Sequence, residues 1–320
     1  MHESQAVQQS YQAVTVPRTL SRRVSSQNIW LSYGNPDNDR LARRANQVQP
    51  EILESEEAVG RAQLEELKQI AESKDGDIVM ILLGGRGAQA MYRIVGELAQ
   101  TSEIDDLLGR FHVFTQDALA PMRMDNSLSF VRDFERLLGD AFFAKVKSFT
   151  PMQTQTDDLE AELTRYIEKL EALGGIDIFF LGLGPEASDA SHLCYIKPRC
   201  GATVSDVAGI IPISQSILEH HINKFKVGGS PVTERDEAEC RAATHILTLG
   251  PGAILGARRI VQSIVDASTA PAKRQCYARV LETELADDPK ARAKQLDDNP
   301  GLWLRLHPNV RSLVLPDVMN

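Results

Sequence analysis

The chain is short of the features that mark a membrane protein, a disulfide scaffold or a nucleic-acid binder. It has four cysteines in 320 residues, Cys194, Cys200, Cys240 and Cys276. None forms a CxxC pair, and no Cys/His spacing matches a zinc site. Thiols scattered singly are the usual pattern of a reducing compartment, so a cytoplasmic protein with no metal and no other cofactor is expected. No apolar run reaches the roughly 18 residues that cross a bilayer. The amino end opens on His, Glu, Ser and Gln rather than on an apolar export core. Positive charge is also scarce: 35 Lys and Arg stand against 44 Asp and Glu, a net charge of -9. Such a chain is a poor partner for phosphate polymers, and its basic clusters (Arg18, Arg22 and Arg23, then Arg40, Arg43 and Arg44) stay local. The dinucleotide fingerprint GxGxxG, the GK[ST] of a Walker loop and the GxSxG nucleophile elbow are all missing. No repeat of 20–50 residues is visible.

What the chain does have is an alternation of buried strands and amphipathic helices. Residues 1–27 are rich in Gln, Ser, Val and Arg without periodicity. They read as a polar arm, with residues 28–320 as a single α/β domain. Within Glu51–Ser73, two helical series (Ile52, Val59, Ala62 and Leu64, Leu67, Ile70, Ala71) predict a long helix. DIVMILLGG (Asp77–Gly85) is continuously apolar, as a strand buried on both faces of a parallel sheet should be. Glycines break it before a helical stretch, Ala88–Gln100. Further strands are expected at Arg110–Asp117, Ile176–Gly184 and Arg311–Asp317, and further helices at Ser129–Phe143 and Asp158–Gly175. Ala243–Ser268 reads as strand, glycine turn, helix, strand. This order predicts an open, mostly parallel sheet covered by helices, with ligands bound beyond the carboxyl ends of its strands.

Four places carry candidate chemistry. The loop Gly84, Gly85, Arg86, Gly87 stands between a strand and a helix start, where amide N–H groups favour an anion such as phosphate, and Arg86 adds a guanidinium fork. Asp117 closes a strand and suits a general base or a turn cap. His192 follows the Gly182–Gly184 turn and suits proton shuttling near neutral pH, with Glu186 and Asp189 placed to orient it. Lys273, beside Arg274, suits an anion. His307 reads as structural, and His220 and His221 as a pair on a helix surface.

Taken in order, LLGGRGAQAMY, VFTQDALAP, IDIFFLGLG with its later His, ILTLGPGAILGAR and LRLHPNVRSLVLPD resemble the glucosamine-6-phosphate deaminase and 6-phosphogluconolactonase superfamily over about Glu51–Asp317. The last two motifs are more similar to the deaminase branch. The resemblance implies a Rossmann-like three-layer α/β sandwich, a phosphorylated sugar as ligand, and a fold whose members often form oligomers, so a homo-oligomer is among the expectations. It implies that Asp117 moves a proton between C1 and C2 as general base. His192 would assist ring opening, and Gly84, Gly85, Arg86, Gly87 and Lys273 would hold phosphate. The alternatives are a lactone hydrolase with His192 activating water, or a non-catalytic sugar-phosphate-binding or regulatory protein. The chain departs from the pattern at three points. The hydroxyls of the phosphate loop are replaced by glycines and Arg86. PEASDAS separates Gly184 from His192, an addition of about four residues that is expected to shift the imidazole by several ångström along the chain. Lys197 stands where a ring-opening Glu belongs, which should lower the His192 pKa.

Overall fold

A computed structural model describes residues 19–25, 27–33, 38–42, 45–186 and 190–319. Its main sheet has seven strands, all parallel, in the spatial order Pro50–Ile52, Val310–Val314, Arg259–Ile264, Ile178–Leu181, Ile78–Leu82, Phe111–Thr115, Ser148–Thr150. The two central strands, IVMIL and IFFL, are buried at every position. Their side chains alternate between two apolar cores. Val79, Ile81, Phe179 and Leu181 point into one, while Ile78, Met80, Leu82, Ile178 and Phe180 point into the other. Burial on both faces is what an unbroken apolar run encodes, and helices cover both faces, giving the three layers the sequence implied.

The helices begin where short polar side chains can cap them. Ser55 caps Glu56–Glu72 through the Ala58 amide, Ser129 caps Phe130–Lys145 through Arg132, and Asp158 caps Leu159–Ala172 through Ala161. Each cap satisfies an amide that the first helical turn leaves open. Two boundaries differ from the sequence reading. Ile52, assigned there to the first helical series, lies in the edge strand Pro50–Ile52, and the helix starts only after Ser55. Leu20–Ser25, within the expected arm, is a strand paired antiparallel with Asn28–Tyr33. The rest of that arm, residues 1–18 and 26, lies outside the described residues.

A second, antiparallel sheet was not anticipated. Its five strands run Leu20–Ser25, Asn28–Tyr33, Asp206–Pro212, His245–Leu249, Asp117–Ala120. The sequence reading placed His245–Leu249 and Asp117 with the parallel sheet. In fact the Phe111–Thr115 strand ends at Thr115, the chain turns at Gln116, and Asp117 opens a new strand opposite Thr248. Apolar runs of this length are common to both sheet types, so periodicity alone does not separate them.

Candidate functional site

The Gly84–Gly87 loop lies at the carboxyl end of Ile78–Leu82, as the sequence placed it. Gly85 has φ +102°, a region L side chains rarely adopt. Gly84 lies beneath the Phe130 ring so closely that a Cβ would fall 2.6–2.9 Å from it. The loop is held from behind. The Gly87 carbonyl accepts from Ser263 Oγ at 2.9 Å and from the amide of fully buried Gln63 at 3.1 Å. Tyr92 donates to the Leu83 carbonyl at 2.8 Å. No side chain caps the turn at Arg86–Ala88 or the Gln89–Leu98 helix after it, which keeps their first amides available to an anion. Arg86 stands at the rim, forked onto Glu56 at 2.5 and 3.3 Å.

In the same pocket as this loop, two ammonium groups share one carboxylate. Lys273 donates to Asp266 Oδ1 at 2.6 Å and Lys224 to Oδ2 at 2.8 Å, with Lys224 also reaching Thr269 Oγ1 at 3.0 Å. Asp266 is 3% and Lys273 8% exposed. Burial by itself would raise the Asp266 pKa, but the two lysines overcome it and hold the carboxyl well below its usual range. Burial pulls the Lys273 ammonium down, and Asp266 pulls it back up. The cluster carries one net positive charge in a largely desolvated place, where a charge–charge interaction with a ligand is screened least.

His192 also lines the pocket. Leu183–Pro185 and Ser191–Leu193 form an antiparallel ribbon in which His192 pairs with Gly184. This pairing sets the imidazole against Gly184. Glu186 follows the first of the two strands, and Asp189 lies outside the described residues. A Cβ on Gly184 would fall 2.2–2.3 Å from the imidazole Cε1 and Nε2. The Tyr195 ring stacks on the other side, centroids 4.2 Å apart and planes 17° apart, and the Tyr195 amide donates to Nδ1 at 3.0 Å. That bond fixes the tautomer: Nδ1 accepts, so Nε2 carries the hydrogen. Burial, then His220, Lys273 and Lys197, lower the His192 pKa well below its ordinary value, which keeps the ring neutral. The Lys197 effect has the direction expected, although Lys197 itself donates to the Pro212 carbonyl at 2.6 Å. Cys194 and Tyr195 hold this geometry with positive φ, +48° and +56°, a cost that non-glycine residues bear mainly at functional sites.

The tight fit over Gly184 gives a direct test. Gly184→Ala forces the imidazole aside while leaving the sheet intact, and overpacking of this kind costs about 1–3 kcal/mol. The expected result is a folded protein with a shifted His192 ring signal by NMR and at least tenfold lower turnover. An unshifted ring would show that the contact does not position His192.

Asp117 is not among the pocket-lining residues. It is 1% exposed, and it lines a neighbouring crevice with Leu128, Phe130, Met152 and His221. Burial pushes its pKa well above the usual carboxylate range, with the neighbouring Gln116 side chain pulling it back down. Gln116, one residue before it, does line the pocket and accepts from the Cys194 thiol at 3.3 Å.

Of the two histidines taken for a surface pair, His220 is half-buried and His221 buried. His220 lines the pocket, its pKa lowered to about 4 by burial and the neighbouring Lys273 and Lys224. His221 is 3% exposed, donates Nε2–H to the Leu128 carbonyl at 2.6 Å and stacks on Phe225. His307 is structural as read, bonded to the Ala257 carbonyl and the Asn309 amide. The Gly250–Gly252 turn does not join the pocket. Cβ atoms there would meet the Asp206 carbonyl oxygen at 2.4 and 3.0 Å, so these glycines serve close packing inside the second sheet's layer.

The pocket thus gathers Gly84, Gly85, Arg86, Gly87, His192 and Lys273, and leaves Asp117 just behind its wall. Lys224, Asp266, Ser263, Gln63 and Tyr195 were missed. One signal was present: His220 and Lys224 stand four apart, on one face of the helix Gln215–Val227.

No protein-family model matches the chain. In sequence it is similar to glucosamine-6-phosphate deaminase 1 of Bacillus subtilis, 26% identical over 244 residues covering 72% of this chain and 89% of that one. It is also similar to the glucosamine-6-phosphate deaminase of Clostridium beijerinckii, 22% identical, covering 78% and 89%. In structure it is similar to a monomeric glucosamine-6-phosphate deaminase, with a TM-score of 0.65 at 20% identity over 85% of this chain and 99% of that one. It is similar as well to the 6-phosphogluconolactonase from Trypanosoma cruzi, with a TM-score of 0.61 at 14% identity over 86% and 97%. The resemblance read from the motifs, and the three-layer α/β fold it implied, are both matched by these likenesses.

Proposed function

We propose that this protein is a sugar-phosphate enzyme that moves a proton between C1 and C2 of its substrate, as a divergent relative of the deaminase/isomerase type. The observation that carries the reading is the pairing of Lys224 and Lys273 on Asp266 in one pocket with the uncapped Gly84–Gly87 turn. In this reading the phosphate takes the loop amides and the two ammonium groups. His192 donates Nε2–H to the ring oxygen and eases opening. Asp117, its pKa raised by burial, takes the C2 proton and returns it to C1. A carboxylate of raised pKa is the stronger base once ionised.

The fixed tautomer supports this reading over lactone hydrolysis. A base that activates water needs a free lone pair, and here Nδ1 is engaged by the Tyr195 amide and Nε2 carries hydrogen. The position of Asp117 behind the pocket wall favours the hydrolase, so the two readings make opposite forecasts. Deuterium incorporation from solvent into hexose 6-phosphates, followed by NMR, is expected with the wild type and lost in Asp117→Asn. Hydrolysis of 6-phosphogluconolactone without exchange, lost in His192→Asn and kept in Asp117→Asn, would replace this reading with the second. Stabilisation by sugar phosphates with neither reaction would leave a binding protein and overturn both.

A further inference from the structure

Two side chains belong to both spaces. Phe130 and His221 line the pocket that holds the Gly84–Gly87 loop, and they also line the crevice that holds Asp117. The chain crosses the same boundary in a single step, since Gln116 lines the pocket and Asp117 the crevice. Phe130 is 5% and His221 3% exposed. Their rings meet edge to face, with centroids 5.0 Å apart and planes at 86°. Phe225 packs on both, 5.6 Å from Phe130 and 4.4 Å from His221. His221 is anchored further by its bond to the Leu128 carbonyl at 2.6 Å, and Phe130 lies against Gly84 of the loop.

We infer that Phe130 and His221 are positioning residues: together they form the partition between the pocket and Asp117, and they decide whether water and substrate reach that carboxyl. The inference rests on the proposed function, in which a sugar held in the pocket has to meet Asp117. While the partition is closed, the carboxyl stays dry and keeps its proton. Burial is the main cause, and Gln116 pulls the other way. The other titratable groups that sense Asp117 are uncharged. Burial keeps the protons on Tyr92, Tyr166, Cys194 and Tyr195. It also lowers the His221 pKa to about 4, so this ring is neutral at pH 7. With no charge beside it to take over, solvent access sets the protonation of Asp117. Opening the partition therefore does two things at once. It joins the two spaces, and it lets the carboxyl ionise into a base.

The test is a carbon NMR titration of the Asp117 carboxyl in the full chain, its signal assigned by its loss in Asp117→Asn. Phe130→Ala is expected to lower the Asp117 pKa by about one unit or more, because water then reaches a group that burial had kept neutral. His221→Ala removes the other half of the partition and should move the pKa the same way; it also carries the test if Phe130→Ala does not fold. Phe130→Leu keeps most of the apolar bulk and should hold the wild-type value. Phe134→Leu loosens the same core, since Phe134 stacks on Phe130, but Phe134 lines neither space, and this variant should leave the pKa in place. Deuterium exchange from solvent into hexose 6-phosphates gives a second reading: the pH at which exchange sets in should fall with the pKa in Phe130→Ala. An unmoved pKa in both alanine variants, or an equal shift in Phe134→Leu, overturns the inference, and the proposed function stands if exchange persists. A lowered pKa with no exchange in any of these proteins removes the proposed function and leaves the partition.

Discussion

Asp117→Asn is expected to raise stability at neutral pH and to abolish proton transfer. The carboxyl is buried with no cation paired to it among the described residues, and its folded-state pKa lies above the unfolded value. A group of this kind binds its proton more tightly when folded. Its contribution to stability is full below about pH 4, where both states are protonated, and declines as pH rises toward the folded pKa. Each unit of upward shift corresponds to about 1.4 kcal/mol. Asn has nearly the same shape and stays neutral, so the variant should show a flatter dependence of melting temperature on pH. Its advantage should grow from near zero at about pH 4 to a few degrees at pH 7. Turnover should fall by about 10²–10⁴, the usual contribution of a positioned acid or base. In the wild type, kcat/KM should rise with pH through an ionisation above the ordinary carboxylate range. Such a pairing of lost activity with gained stability marks a residue kept at a thermodynamic cost. A variant that is less stable at pH 7 would contradict the assignment of Asp117 as an uncompensated buried acid.

Lys273→Met is expected to act on binding rather than on chemistry. Removing one ammonium from the shared carboxylate deprives the phosphate of a charge-assisted hydrogen bond worth about 1.5–3 kcal/mol. KM for the sugar phosphate should therefore rise roughly 10- to 150-fold. The change in kcat should be small, the signature of an interaction made equally in ground and transition states. Stability should fall as well, because Asp266 keeps only Lys224 in a site that is 3% exposed. The double variant Lys273→Met/Asp266→Asn separates the two effects. It should recover much of the lost stability, measured by denaturant titration, without recovering affinity for the sugar phosphate. Recovery of affinity in the double variant would mean that Lys273 acts only by neutralising Asp266.

The fold was largely legible because burial leaves a pattern in the residues themselves. Asp77–Gly85 and Ile176–Gly184 have no polar alternation, and the structure makes each the source of a central strand covered on both faces. The glycine loop was legible for a related reason, since φ +102° at Gly85 and the Phe130 ring over Gly84 leave little room for any other residue. The second sheet was not legible. Asp117–Ala120 and His245–Leu249 are as apolar as parallel strands, and what pairs them is a register between residues more than 120 positions apart.

The site divides along the same line. Sequence by itself determined the strand–glycine–helix turn, the alternation of strands and helices, and the supply of Arg86, His192 and Lys273, because local backbone geometry and apolar periodicity are written in neighbouring residues. Tertiary structure decided the rest. It paired His192 with Gly184, brought Lys224 and Lys273 from different helices onto one Asp266, set His220 in the pocket lining and buried His221, and left Asp117 outside that lining. Each of these depends on which groups share a desolvated space. Burial and charge pairing act through that space, where sequence distance has no influence.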